Sequence, residues 1–500
     1  MIASSGKKTR NKKIGQLISS KYLSSINSEK LVSGIALDSR KVVPGDMYFS
    51  FAVSATDTVR NLDDALARGA VAVVSRKQTA TENAADQNEC VRVYVADVNA
   101  AAAKAADIFF ETPSRELSVV GVTGTNGKTS CVDMLGQALR ALGKPAATMG
   151  TLGFSLLAGK FEHTGFTTMD IVENQRRLSD LTRQNITDVA MEVSSHGIEQ
   201  GRISGIQFAV KVITNISRDH LDYHGTMRSY ADTKLQFMSW GAGHLIANLD
   251  DERIHAWVDS QGVRPVISYS VENPKALVTV SEVKYALDGI AAKVKSPWGS
   301  AEIKTTLIGA FNLSNVLAVL SVLCAQGEPL DRVIGAVNSL HSVPGRMERV
   351  NVESQDLVRN VYIDYAHTPD ALDKALSALK AHAKEKVVCV FGCGGDRDVG
   401  KRPLMAAVAE AHADVIYVTN DNPRNEPPSV IIEHILAGFK SQENVIVLEN
   451  RKQAIRQAIA SSGEKDIVLL AGKGHENYQI IGDKKLSFSD FDIARELMAG

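Results

Sequence analysis

Residues 123–130 read Thr-Gly-Thr-Asn-Gly-Lys-Thr-Ser, two glycines spaced three apart and then a lysine and two hydroxyls. Those types in that order suit an anion. Backbone N–H groups at a helix start point at a phosphate, the Lys128 ammonium reaches its terminal oxygens, and the Thr129 hydroxyl suits Mg²⁺. The widespread phosphate loop carries a glycine five places before the Gly-Lys pair, and Val122 stands there instead. The loop is therefore a shortened variant. A tight turn that merely needs glycines is the plainer reading, and Lys-Thr at a helix start argues against it.

Other residues stand where chemistry is done. Glu192 ends the apolar run Asp188–Val193, where a buried carboxylate is costly unless it meets a cation. Asp219 and His220 follow the run Phe208–Ser217, and Lys234 lies in a helical stretch. Taken singly, each has a bland alternative: a strand-end salt bridge, a structural histidine, a surface lysine. The five cysteines, Cys90, Cys131, Cys324, Cys389 and Cys393, are scattered and odd in number, so neither a disulfide framework nor a zinc site is expected.

The elements that must position these residues are short Val- and Ile-rich runs alternating with helical segments from about residue 115 onward. Runs apolar on both faces suit parallel strands covered by helices, so the fold class is α/β. Each run ends in Gly, Asn, Asp or Ser, at the strand ends where open parallel sheets bind ligands. Proline turns at 111–116 and 341–348 read as linkers. They divide the chain into three domains: 1–112, a central P-loop-like ATPase domain with a parallel-rich sheet at 113–344, and 345–500.

Five hundred residues at 44% hydrophobic content can bury several cores. With 56 Lys+Arg against 57 Asp+Glu, no general nucleic-acid binding is expected. The N-terminus is basic without an apolar segment, and no apolar run is long enough to span a membrane. A soluble, cytoplasmic protein is expected, its first dozen residues a solvated tail.

The loop is only the first of several blocks. Residues 191–202 (MEVSSHGIEQGR), 215–234 (NISRDHLDYHGTMRSYADTK), 309–315 (GAFNLSN), 344–350 (PGRMERV), 364–372 (DYAHTPDAL), 392–405 (GCGGDRDVGKRPLM), 421–426 (DNPRNE) and 471–476 (AGKGHE) follow in order. In these blocks the chain, from about Leu31 onward, resembles the ATP-dependent Mur ligases of peptidoglycan synthesis. The set is most similar to the branch that adds diaminopimelate to UDP-MurNAc-L-Ala-D-Glu. The resemblance implies a γ-phosphate transfer to a substrate carboxylate, attack of an amine on the acyl phosphate, and a monomer with a Rossmann-like C-terminal domain.

It also implies roles. ATP would be held by Gly124, Thr125, Asn126, Gly127, Lys128, Thr129 and Ser130, with Asn312, Arg346 and Asp364. Thr129, Glu192 and a carbamate formed from CO₂ on Lys234 would bind Mg²⁺, and Lys128, Lys234 and His220 would be catalytic. The UDP-muramoyl dipeptide would meet Leu37, Ser39, Ser54, Ala55, Thr56, Thr167, Thr168, Ser194, Gln200 and Arg202. Two departures stand in that set. Ser54-Ala55-Thr56 replaces a His-containing segment, and Met169 replaces the proline of a Thr-Thr-Pro. Diaminopimelate would meet Arg397, Asp421, Asn422, Pro423, Arg424, Gly472 and Glu476, a guanidinium taking its far carboxylate and Glu476 its far ammonium. Lysine or ornithine is the alternative amine. A folylpolyglutamate synthase is a second enzymatic reading, and a nucleotide-gated binding protein one from another class.

Overall fold

The computed structural model describes residues 10–18, 25–52, 54–76, 90–157, 160–262, 265–286, 289–350 and 360–499. Two compact units emerge. One draws its described residues from Met1–Thr123, Lys144–Lys211 and Arg228–Gly243, the other from Gly124–Gly143, Val212–Met227 and His244–Gly500.

The first unit holds a four-stranded parallel sheet, ordered Gly34–Ala36, Asp46–Phe49, Ala72–Ser75, Val91–Tyr94. An Ala-rich helix, Val98–Phe109, packs on it because Ala102, Ala103, Ala105 and Ala106 are small enough to bury a whole face. Asp97 starts that helix by accepting from Ala100 N at 3.0 Å. A second set of strands in this unit is parallel through Ala146–Gly150, Asp188–Glu192 and Ser118–Thr123, and continues antiparallel through Gly153–Leu157 and Lys160–Glu162. Helix Ile171–Arg183 is capped by Asp170, which accepts from Glu173 N at 2.9 Å, and buries Ile171, Leu178 and Leu181 along one stripe.

Arg10 corrects the expected tail. Its guanidinium bonds Ser179 Oγ at 2.5 Å and lies 4.9 Å from the Phe110 ring centroid, so the chain is already packed there; residues 1–9 lie outside the described residues. The turn at 111–116 is packed against the protein. Pro113 and Ser114 are buried, Ser114 Oγ accepts from Gln207 N, and Glu111 and Thr112 take positive φ of 68° and 50°.

The second unit opens on the glycine loop and helix Lys128–Ala141. Helix Ala310–Ala325 is buried nearly all round, as apolar residues on every face require, and Asn312, Asn315 and Ser321 are buried with them. Beyond the buried Val343 and Met347 lies a six-stranded sheet, ordered Glu348–Arg349, Asn360–Asp364, Ile467–Ala471, Val387–Phe391, Val415–Val418, Val445–Val447. All its pairs are parallel except the first. Separate apolar clusters cover its two faces, one involving helices Pro369–His382, Lys401–His412 and Pro428–Leu436, the other Arg451–Ser461 and Asp490–Ala499. That is the doubly wound arrangement expected of the C-terminal segment. Cys389 and Cys393 are buried inside it, Cys393 Sγ 3.7 Å from Met405 Sδ. The last helix is fastened by a pair with no exposed surface. Arg451 donates to Asp490 at 2.9 and 2.6 Å, and to the Ala471 carbonyl at 2.9 Å.

Candidate active site

The glycine loop is held by Thr214 and Asn215, which the sequence placed within the apolar run 208–217 and which lie just past the strand Val210–Ile213. Asn215 accepts from Thr125 N through its carbonyl (2.8 Å) and from Asn126 N through its side chain (3.0 Å). Thr214 Oγ1 and Asn215 Nδ2 both donate to the Asn126 carbonyl, at 2.6 and 3.0 Å. These bonds fix the backbone that a phosphate would meet. Gly124 has φ 144°, and a Cβ there would come within 1.9 Å of Thr214 Oγ1. Gly127 has φ 86°, a left-handed conformation that opens the helix. The Lys128 ammonium folds onto the carbonyls of Gly124 and Thr125, both at 2.8 Å. Thr129 and Ser130 are buried in the first helical turn. Asn126 Nδ2 also donates to Asp370 Oδ2 at 2.8 Å, at the start of helix Pro369–His382.

Asn312 is 3% exposed and its amide is engaged within the protein. It donates to Ile308 O at 2.8 Å and accepts from Asn315 at 3.4 Å. Asn315 in turn accepts from Cys131 on the loop's helix. Arg346 stacks 4.6 Å from the Tyr365 centroid, and Asp364 Oδ2 accepts from Met347 N at 2.7 Å. Burial pushes the Asp364 carboxyl up to about 6, against the opposing pull of Arg346. His220 is half exposed with φ 52°, its Nε2 3.4 Å from Asp219 Oδ2.

Within the first unit, Glu192 is 1% exposed at its strand end. Its oxygens accept from Thr151 N (2.8 Å) and Thr151 Oγ1 (3.2 Å), and among the described residues it forms no ion pair. A buried carboxylate without a cation is the donor chemistry a divalent metal takes. No group of three or more His, Cys, Asp or Glu suited to a metal occurs among the described residues, so protein carboxylates alone do not make a full shell. Lys234 is 1% exposed, its Nζ 4.7 Å from the Tyr230 ring centroid. It is not a surface lysine.

Thr167, Thr168, Ser194, Gln200 and Arg202 form one bonded cluster around Glu192. Thr151 Oγ1 lies 3.0 Å from Thr167 Oγ1, and Thr168 Oγ1 donates to Glu192 O while accepting from Ser194 N. Arg202 donates to Thr168 O and to Gln200 Oε1, and lies over Phe166, an aromatic ring 57% exposed. Leu37 and Ser39 follow one strand of the four-stranded parallel sheet, and Ser54 follows its neighbour, so both sit at carboxyl ends. Ser54 is a helix cap accepting from Asp57 N at 3.1 Å, and Ala55 and Thr56 begin helix Ala55–Ala67.

The residues assigned to the amine gather past the carboxyl ends of three adjacent strands of the six-stranded sheet. Asp421 and Asn422 are buried. Asn422 Nδ2 donates to Glu476 Oε2 at 2.9 Å, and Asn422 O accepts from Gly395 N at 2.9 Å, which aligns Pro423 and Arg424 with the glycine run. Arg424 has φ 53°; its Nη1 donates to Gly395 O at 2.9 Å, and its backbone pairs with the hairpin Tyr478–Ser487 through Ile480 and Gly482. A Cβ on Gly472 would meet Asp421 Oδ2 at 2.6 Å. Arg397 is exposed and donates from Nη1 to its neighbour's carbonyl, Asp396 O, at 3.0 Å. Two partners were missed from sequence. Arg402, fully buried, clamps Glu426 at 2.6 and 2.7 Å and holds that carboxyl at about 2. Lys473, fully buried, lies 3.2 Å from Glu476 Oε2 and 3.5 Å from Asp421 Oδ1. Both stand inside quoted blocks, where a basic residue between glycines or beside a helix start was the available signal.

Comparison with known proteins places this geometry. Residues 122–323 match the model of the Mur ligase middle domain, and residues 345–474 that of the Mur ligase glutamate ligase domain. The chain is 40% identical over 495 residues to a UDP-N-acetylmuramoyl-L-alanyl-D-glutamate–2,6-diaminopimelate ligase of Coxiella burnetii, covering 97% of this chain and 99% of that one. To the protein of the same name from Pseudomonas syringae pv. tomato it is 42% identical over 484 residues, covering 96% and 98%. A solved structure titled as that ligase superposes with a TM-score of 0.72 at 32% identity, covering 98% of this chain and 99% of the other. A shortened phosphate loop, a buried strand-end glutamate and full-length identity of this order have one common explanation: the chain belongs to the Mur ligase family.

Proposed function

We infer that this chain is an ATP- and Mg²⁺-dependent ligase that adds meso-2,6-diaminopimelate to the D-Glu γ-carboxylate of UDP-MurNAc-L-Ala-D-Glu, in peptidoglycan synthesis. The observation that carries the amine assignment is the cluster of Arg424, Asn422, Glu476 and Lys473 at three strand ends. It offers a guanidinium and a carboxylate that both bond Asn422, one at its carbonyl and one at its side chain, which suits the far end of a diamino diacid bearing one ammonium and one carboxylate. Lysine and ornithine lack that carboxylate.

In this reading the segments 1–112, 113–344 and 345–500 take the nucleotide-sugar peptide, ATP and the amine respectively. Lys128 leaves the Gly124 and Thr125 carbonyls to meet the γ-phosphate, and loop amides fix the β-phosphate. Thr129, Glu192 and a carbamate on Lys234 would hold Mg²⁺, which would supply charge neutralisation between two approaching anions. His220 stands beside the transferring phosphoryl group. Asn312 takes adenine, Asp364 the ribose and Arg346 a phosphate. Thr167, Thr168, Ser194, Gln200 and Arg202 hold the dipeptide, while Leu37, Ser39 and Ser54–Thr56 hold the uridine end. A monomeric, cytoplasmic enzyme fits this chemistry. No helix among the described residues is long and apolar enough to cross a membrane.

The test is one assay: purified protein, ATP, Mg²⁺ and UDP-MurNAc-L-Ala-D-Glu, offered diaminopimelate, lysine and ornithine in parallel. Phosphate release should require the dipeptide acceptor and an amine, with diaminopimelate preferred. Preference for lysine, or release without either co-substrate, overturns the assignment.

A further inference from the structure

Lys473 has no exposed surface, yet its ammonium sits among the groups assigned to the amine substrate. Nζ lies 3.1 Å from Asn422 Oδ1, 3.2 Å from Glu476 Oε2 and 3.5 Å from Asp421 Oδ1. Asn422 is thereby fixed at both ends, since its Oδ1 also accepts from Ile480 N at 2.9 Å and its Nδ2 donates to Glu476 Oε2 at 2.9 Å. One oxygen of Glu476 therefore carries two donors. The other, Oε1, has a long 3.4 Å contact from the Tyr478 hydroxyl. The formal charges are equally lopsided. Within the ion-paired set Asp421 and Glu476 contribute two negative charges and Lys473 one positive, a net charge of minus one on the carboxylate side of the cluster, while the Arg424 guanidinium, bonded to Gly395 O, is counted with the far carboxylate. Charge out of water is tolerated where it is paired, so the complement of this cluster is a single further cation.

We propose that Lys473 is the specificity-setting residue of the amine site: it pins Glu476 by Oε2, presents Oε1, and trims the cluster to the charge of one ammonium. It touches no substrate itself and acts through Glu476 and Asn422. This rests on the amine-site reading above. The hairpin Tyr478–Ser487 belongs to the same device, because Tyr478, Gln479 and Ile480 bond Glu476, Asp421 and Asn422 in turn.

The experiment compares diaminopimelate with 2-aminopimelate, which keeps the reacting amine and the far carboxylate but lacks the far ammonium. Initial rates are measured on the full chain for wild type, Lys473→Met and Lys473→Arg. Wild type should prefer diaminopimelate at least tenfold in kcat/KM; equal use of the two amines would mean that the amine-site reading itself fails. Given that preference, Lys473→Met should raise the KM for diaminopimelate tenfold or more. It should change 2-aminopimelate less than threefold and leave the ATP KM within threefold. Loss of both amines in equal proportion, or retained discrimination, overturns the proposal. Should the Met variant not fold, as judged by its melting curve, the Arg variant decides. With the charge kept it should hold discrimination within about threefold of wild type, and a folded Lys473→Arg that treats both amines alike overturns the proposal.

Discussion

The glycine loop and the proposed amine cluster are built by opposite means. At the loop, contacts converge on the main chain: Thr214 and Asn215 grip Asn126, and Gly124 is packed where no Cβ fits. At the amine cluster the reading groups are side chains from three strand ends, oriented by other side chains, with Lys473 and Arg402 buried beneath them. A backbone cradle recognises what all nucleotides share and is written in one short stretch. A side-chain cluster can distinguish one diamino acid from another, and its parts are dispersed over the sequence. Damage to the first should cost rate with any amine. Damage to the second should cost selectivity and spare ATP.

The largest effect is expected at the loop. Lys128→Ala removes the charge proposed to meet the transferring phosphoryl group, a loss worth roughly 10²-fold or more in kcat. Activity within a few-fold of wild type, with an unchanged melting curve, would refute the loop's role. Lys234→Ala should also remove most activity, and added short carboxylic acids should restore part of it. Wild-type protein equilibrated with ¹³C-bicarbonate and Mg²⁺ should carry the label on Lys234; an unlabelled amine ends the carbamate reading. Next in size, Arg424→Ala should raise the diaminopimelate KM ~10-fold, from a charge-assisted bond of ~1.5–3 kcal/mol, with the KM for ATP nearly unchanged. A loss of ATP affinity instead would move Arg424 out of the amine site.

The smallest effect is a pH dependence. Asp364 titrates at about 6 in the fold against 3.8 as a model group, so the folded state binds the proton more tightly. Its contribution to stability is full below 3.8 and is lost as pH rises through about 6. In the role proposed for it Asp364 accepts from the ribose and must be ionised, so the KM for ATP should rise as pH falls below about 6. Asp364→Asn should abolish that rise, weaken ATP a few-fold at neutral pH, and raise the melting temperature there. Thermal unfolding and ATP titration between pH 5 and 8 check both signs.

The parallel strands were legible because apolar runs such as Val387–Phe391 are buried on both faces and end in turn residues. The glycine loop was legible because its constraint is local. What stayed hidden depended on partners distant in sequence. Nothing near Lys473 says that Asn422 lies 3.1 Å away, and nothing in residues 1–18 says that Arg10 stacks on Phe110. The proline turns misled in one respect. Turn chemistry identifies a change of direction and does not report whether solvent or protein covers it, and Pro113 and Val343 are buried. Lys234 is buried, which removes the surface-lysine alternative, and Glu192 accepts from Thr151 with no ion pair among the described residues, which removes the strand-end salt bridge.

The buried pair of Arg451 and Asp490 has a consequence for how damage spreads. Arg451 also grips the carbonyl of Ala471, the residue immediately before Gly472 and the amine-binding turn. The final helix is thus a tie-rod ending beside the proposed amine site. Cutting it at Asp490 strands a guanidinium in the interior, a loss of ~3–5 kcal/mol when one partner of a buried pair is removed. Proteolytic clipping or a destabilising change in the last dozen residues would therefore first be noticed as an enzyme that still hydrolyses or binds nucleotide and has forgotten which amine it serves.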